Sequence, residues 1–275
     1  MARMKNSNWI RAVIFGAALL GGNVSADDRL FTYTYEPETE PRGDWEWEHS
    51  VTSRVGRNAS VGQDNYQKWE FRTEIEHGFT DRYTAALYVN DNYERFTDPA
   101  TGATIANNHW AGLSLENRYL VLDPVDNPVG LTLYLEPTYD GENAELEQKI
   151  ILGQRHGAWK WAVNLTHATE WTHDFRSREG EVEISAGFAR QLTHRWSLGL
   201  ELRDHNEFPD YREWQNTALY LGPTLSYHRQ NWWAAVSVMP QIYGHTFTGD
   251  PDGNRHLELE GHERLNFRLL VGFSF

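Results

Sequence analysis

Acidic and basic residues recur at every second position in several stretches of this chain. Glu70, Arg72, Glu74 and Glu76 form one series, Glu116 and Arg118 a second, Glu201 and Arg203 a third, and Arg264 and Arg268 a fourth, with Glu136 a further carboxylate. Residues two apart in an extended chain share one side. If these stretches are strands around a common interior, the groups face one another. Carboxylates and guanidiniums so placed can pair and fill the interior as a charge network, or line a narrow polar path whose charges filter a small solute. The residues alone leave both readings open. Glu46, Glu48, Glu147, Lys149, Arg155, Lys160, Glu170 and Glu183 add to the same set.

Other chemistry finds less support. Outer-membrane phospholipases place a His and a Ser two apart on one strand. This chain has no His-x-Ser; His167-Ala168-Thr169 is the nearest spacing, with threonine in the nucleophile's place. No enzyme activity is expected. Asp250-Pro251-Asp252-Gly253-Asn254 resembles part of a calcium loop but lacks its remaining ligands and terminal Glu, and Asp-Pro and Asp-Gly are ordinary turn chemistry. His245, His256 and His262 flank this loop, so an external metal or ligand site is the lesser reading. No cofactor and no metal ligand set is assigned. Cysteine is absent, which removes thiol catalysis, thiolate metal sites and disulfides.

The elements that carry the charges are strands by their period. In 68–79, Trp69, Phe71, Thr73, Ile75 and Phe79 alternate with Lys68, Glu70, Arg72, Glu74 and Glu76. In 159–171, Trp159, Trp161, Val163, Leu165 and Trp171 alternate with Lys160, Asn164, Thr166 and Glu170. Similar stretches cover 44–57, 83–96, 111–122, 130–140, 145–155 (the poorest pattern), 181–192, 196–205, 217–228, 232–243 and 264–275, twelve in all. Connections after even-numbered strands are mostly short turns, and those after odd-numbered strands are more often long and polar, the layout of an outer-membrane barrel. Twelve Trp, thirteen Tyr and twelve Phe cluster at strand ends, as aromatic girdles at two bilayer interfaces would. The expected fold is all-β, a transmembrane antiparallel up-and-down barrel of about 12 strands, monomeric, with ten or fourteen strands as alternatives. Arg190 on an oily face and Pro137, Pro223 and Pro240 inside strands strain the pattern; the prolines call for bulges.

The ends and totals agree. Arg3, Lys5 and Arg11 precede a short apolar run at 12–20, and Val24-Ser25-Ala26 offers a cleavage site. Residues 1–26 therefore read as a signal peptide, cut between Ala26 and Asp27. The run is too short for a spanning helix, and mean hydropathy of −0.66 excludes an α-helical membrane protein. The formal charge is −14; losing the three basic residues of the leader leaves 22 Lys and Arg against 39 Asp and Glu, or −17. This argues against nucleic acid as a partner, and a path, if open, would favour cations or neutral solutes. Residues 27–43 read as a periplasmic N-terminal segment, tucked into the barrel mouth or forming an extra short strand, and 44–275 as the barrel.

The last stretch alternates Leu265, Phe267, Leu269, Val271, Phe273 and Phe275 with Asn266, Arg268, Leu270, Gly272 and Ser274. It resembles the C-terminal strand of bacterial outer-membrane barrels, which ends on Phe. The resemblance implies outer-membrane localisation, contact with outer-membrane lipid and lipopolysaccharide, and recognition by the barrel-assembly machinery. Phe31-Thr32-Tyr33-Thr34-Tyr35-Glu36-Pro37-Glu38-Thr39, Gly43-Asp44-Trp45-Glu46-Trp47-Glu48 and Glu70 through Tyr83, with its Gly78-Phe79-Thr80-Asp81-Arg82 turn, are similar to a group of proteobacterial porin- and transporter-like barrels whose relatives are named after phenol-degradation gene clusters. That likeness implies the fold, and passage of a small solute as the expectation; a plugged or surface-binding barrel and a lipid hydrolase are its alternatives.

Overall fold

The computed structural model describes residues 29–57, 62–172, 175–248 and 256–275. The Ala26–Asp27 junction and the Asp250–Asn254 stretch lie outside the described residues.

Among the described residues twelve strands form one closed barrel, with no helix. They are β1 (Trp45–Val55), β2 (Asp64–Thr80), β3 (Tyr83–Thr97), β4 (Thr104–Leu122), β5 (Gly130–Tyr139), β6 (Ala144–His156), β7 (Trp159–Thr172), β8 (Ser177–Gln191), β9 (Trp196–Pro209), β10 (Asn216–Arg229), β11 (Trp232–Thr246) and β12 (Leu265–Ser274). Each pairs antiparallel with its sequence neighbours, and β12 closes on β1 in a register that sets Trp47 opposite Phe273 and Val55 opposite Leu265. Closure removes the open edge that so apolar a final strand would otherwise expose. It also uses a glycine: a Cβ on Gly272 would lie 2.3 Å from Nε1 of Trp233, an inward indole that donates to Glu46 Oε1 at 3.0 Å across the seam.

Several strands run further on the long-loop side than the period predicts. β4 begins at Thr104, and residues 104–110 pair with 91–97 of β3. Asn107, Asn108 and His109 carry no apolar alternation because both faces are wet there, yet the backbone ladder continues. All three proline positions coincide with a ladder break: the β4–β5 pairing skips from Ser114↔Thr138 to Asn117↔Leu135 at Pro137, and the β10–β11 pairing skips from Tyr220↔Gln241 to Thr224↔Ser237 at Pro223 and Pro240, beside a bulge at Leu219/Tyr220.

The outer face is apolar, with Leu87, Leu115, Leu133, Leu165 and Leu200 exposed. Aromatic pairs ring its short-turn end: Trp159–Phe188 at 4.9 Å, Trp196–Tyr227 at 4.7 Å and Tyr227–Trp232 at 5.1 Å between ring centroids. Arg190 does not oppose this surface; its guanidinium lies over the Trp159 ring at 5.3 Å.

Inside the barrel sits the N-terminal segment. Residues 29–37 are all buried and form no strand, so the extra-strand alternative is set aside. Gly43 N–H donates to Gly78 O at 2.7 Å, which holds the segment's end at a short turn before the chain enters β1.

Candidate functional site

The segment's alternation is used against the barrel's inner wall. Phe31 packs with Ala162 and Ala189, Tyr33 with Ala218, Tyr220 and Met239, and Tyr35 with Tyr134 and Ile151. Three successive odd residues thus dock on three separate parts of the wall. Fully burying each such side chain favours the docked state by roughly 1.5–3 kcal/mol. Ile151 explains the poor alternation of β6: Ile150 faces outward, while Ile151 faces inward as part of this socket.

Glu201 anchors the segment's backbone. Its Oε1 accepts from the N–H of Tyr33 at 2.7 Å and of Thr34 at 2.6 Å, and its Oε2 from the N–H and hydroxyl of Thr32 at 3.1 and 3.0 Å. Successive backbone N–H groups that converge on one oxyanion form an anion nest. Here the barrel wall supplies the anion. Its neighbours on the adjacent strands are Gly187 and Gly222; a Cβ on Gly187 would meet the Phe31 ring, and one on Gly222 the β11 backbone at Val238. Asn164 clamps the next residue: its Oδ1 accepts from Tyr35 N–H at 2.7 Å and its Nδ2 donates to Tyr35 O at 2.8 Å. Thr224 and Thr132 hydroxyls donate to the carbonyls of Leu30 and Pro37, each at 3.0 Å, and Lys160 pairs with Glu38 at 2.8 Å.

Cations surround the two tyrosines. The guanidiniums of Arg268 and Arg203 lie 4.8 and 5.0 Å from the Tyr33 ring; Arg29 and Lys149 lie 4.1 and 4.6 Å from the Tyr35 ring. Desolvated cation–π contacts are worth up to about 2 kcal/mol each.

The space left is asymmetric. Below the segment, at the short-turn end, a gap of about 10 Å³ remains among Glu74, Glu76, Arg118 and their neighbours. Above it lies a cavity of about 300 Å³ whose lining includes Arg72, Glu136 and Arg268. Beyond that, at the long-loop end, a vestibule of about 740 Å³ is lined by Arg54, Arg57, Glu145, Glu263 and others. Glu70 and Arg203 line both.

The charged series therefore divides in two. Glu70, Arg72, Glu136, Arg203 and Arg268 face open space. Glu74, Glu76, Glu116, Arg118 and Glu201 are buried at the segment's end of the barrel. Glu116 accepts from Tyr88 OH at 2.5 Å and Tyr35 OH at 3.3 Å. Arg264 departs from the expected lining: it is exposed and borders neither cavity, because it precedes β12 at the rim, where its N–H donates to Gly56 O at 3.0 Å.

Most of the open charges are paired. Arg72 meets Glu136 at 2.5 Å, Arg54 meets Glu70 at 2.9 Å, Arg203 meets Glu183 at 2.5 Å and Lys149 meets Glu147 at 2.8 Å. Sequence reasoning did not single out Arg54, Arg57, Glu145, Glu207 or Glu263. Arg57 and Glu263 lie in connections, where no period marks a face; they pair at 2.8 Å.

The chain's last long connection also folds inward. Gln241 Nε2 donates to Glu258 O at 2.7 Å, and Glu258 N–H donates back to Gln241 Oε1 at 2.8 Å. The Glu258 carboxylate accepts from the N–H groups of Glu260, Gly261 and His262. Burial lifts its pKa above the usual carboxylate range, and those N–H groups oppose the rise. His167 and Thr169 do come together, through Tyr211: its hydroxyl lies 3.3 Å from His167 Nε2 and within hydrogen-bonding reach of Thr169, which it covers.

Comparison with solved structures finds the same architecture. The crystal structure of an outer membrane channel from Pseudomonas putida F1 is 11% identical, with a TM-score of 0.59, over 86% of this chain and 97% of that one. The β domain of the Bordetella autotransporter Brka is 14% identical, with a TM-score of 0.55, over 84% and 99%. The NanC porin is 12% identical, with a TM-score of 0.50, over 82% and 98%. At such identities the likeness is one of fold. Comparison with curated proteins gives no match. A family model matches residues 23–152 and 154–275. By that match, which spans nearly the whole chain, the protein belongs to the family described as a family of unknown function, DUF6662.

Proposed function

We propose that this protein is an outer-membrane barrel of the porin-like kind. Its long-loop end faces outward and admits small cationic or neutral solutes to an acidic vestibule. Its short-turn end is closed at rest by residues 29–41, so that passage requires this segment to shift. The apolar outer face with its aromatic ring supports placement in a bilayer. The neighbours in fold, among them a channel and a porin, support the outer membrane and the porin-like role. The same reading includes removal of residues 1–26, contact with lipid and lipopolysaccharide, and assembly through the Phe275 strand.

One observation carries the closed resting state: cavities of about 740 and 300 Å³ at one end against about 10 Å³ at the other. The test is conductance in planar bilayers. The intact chain should be nearly silent, and a chain lacking 29–41 should give discrete steps that favour cations. Equal conductance of the two would refute gating by this segment. Silence of both would favour the second reading, a barrel that binds at its vestibule and passes nothing, which the paired lining charges support. Incubation with phospholipid should release no acyl chains from either form.

A further inference from the structure

The vestibule wall carries a cluster that the passage of solutes does not require. His205 and Glu207 stand two apart on β9, on the same face of its long-loop end. His262 reaches them from the connection before β12, and the three offer ligand atoms that all lie within 4.8 Å of one another. We infer that His205, Glu207 and His262 bind a divalent transition cation of the zinc class at the vestibule. The inference stands whether or not solute passes through the barrel.

The donor set selects the cation class. Two imidazoles and one carboxylate suit zinc, copper or nickel, whereas calcium and magnesium take mainly oxygen ligands. Three protein ligands with an open side describe a site that keeps a position for water. The 740 Å³ vestibule, lined by all three residues, supplies that side and the entry path.

The supporting contacts fit ligation. Metal-bound imidazoles commonly donate their other ring N–H to a carboxylate, which fixes the tautomer. Glu183 Oε2 lies 3.1 Å from His205 Nδ1; with the proton on that nitrogen, Nε2 carries the lone pair that can ligate. Asn216 joins the other two: its Nδ2 donates to Glu207 Oε2 at 2.7 Å, and its Oδ1 accepts from His262 Nε2 at 2.9 Å, a bond that ligation through Nε2 would replace. His205 and His262 are buried, with ring centroids 5.1 Å apart.

The surrounding charge also permits a cation. Arg203, Arg54 and Arg57 are close, but each is held by a carboxylate: Arg203 by Glu183 at 2.5 Å, Arg54 by Glu70 at 2.9 Å and Arg57 by Glu263 at 2.8 Å. Glu181 lies 3.6 Å from His205 Nε2, and Glu258 lies 3.9 Å from His262 Nε2. Coordination at about 2.0–2.2 Å would draw the three ligands inward and pin the final connection to β9.

Purified full-length barrel in detergent can be titrated with ZnCl2 by calorimetry and with CoCl2 by visible absorption. One saturable site is expected, with the d–d bands of nitrogen-ligated cobalt. His205→Gln and His262→Gln should each weaken zinc more than about tenfold, the scale on which ligand-shell losses act. Glu207→Gln keeps the side chain's shape and should do the same. His109→Gln, in the same vestibule but outside the trio, should leave binding unchanged. Heat-shifted gel mobility reports that each variant is a closed barrel. No saturable zinc binding by the intact chain overturns the inference. So does unaltered affinity in any folded variant of the trio.

Discussion

Asn164 on β7 treats the backbone of Tyr35 as a neighbouring strand would. Its side-chain amide accepts from Tyr35 N–H at 2.7 Å and donates to Tyr35 O at 2.8 Å. Asn164→Ala leaves both backbone groups buried without these partners, at a cost of about 1–3 kcal/mol per unsatisfied group. The expected result is a segment that detaches at lower temperature than the barrel unfolds. Two transitions in tyrosine fluorescence, where the parent shows one, would report this. A single unchanged transition would argue against the clamp.

Glu201 should matter more than any single cation in the interior, because its charge is met by the segment's own backbone. Each hydrogen bond to a charged group contributes roughly 1.5–3 kcal/mol. Glu201→Gln removes the charge and presents an NH2 to donors. Thr34 is fully buried, and the chain has no cysteine, so Thr34→Cys gives a labelling site without background. Maleimide should modify it slowly in the parent and at least tenfold faster with Glu201→Gln. Equal rates would show that the carboxylate does not hold the segment.

Gly187 provides a steric test of the same docking. A Cβ built there would lie 2.5 Å from the Phe31 ring, too close for either group to remain. Gly187→Val should therefore expel Phe31 while leaving the outer face of β8 unchanged. Protease added from the short-turn side should then cut within 29–41, while the parent resists. A protected segment in the variant would mean that Phe31 is not held against this wall.

The connection between β5 and β6 should respond to acid. The Asp140 carboxylate accepts from the N–H groups of Asn143 at 2.6 Å and Glu142 at 2.7 Å. Burial opposes its ionisation, but these hydrogen bonds outweigh that and hold its pKa below the usual range. Because the folded pKa is depressed, its contribution is present above the unfolded value near 4 and is lost as pH falls through the folded value. The group is largely solvated, so the effect is under about 1 kcal/mol. Asp140→Ala should lower stability at pH 7 and not at pH 2. An equal loss at both values would assign it to packing instead.

The strands were legible because a bilayer barrel imposes one rule on every span. Side chains alternate between two solvents, and the outer solvent is apolar throughout. Leu265 to Phe275 and Trp159 to Trp171 show this rule directly. The boundaries slipped where the outer solvent changes: past the belt, as at Thr104 to Trp110, both faces are wet and the period vanishes although the ladder continues. The N-terminal segment left one sign. Ile151 and Met239 are apolar residues on the inward face, met by Tyr35 and Tyr33 and out of place in a water-filled interior. Read together, they predict that something covers part of the wall.

The chain by itself determined the barrel, its twelve spans, the exported leader as an expectation, and an interior rich in charge, because each of these follows from local period and composition. Closure decided the rest. It enclosed residues 32–34 against Glu201, and so turned one carboxylate among many into their anchor. It also carried His262 from the last connection to His205 and Glu207 on β9, a meeting across more than fifty residues that no local pattern encodes. Contacts of that kind depend on register around the whole ring, and only the folded barrel fixes the register.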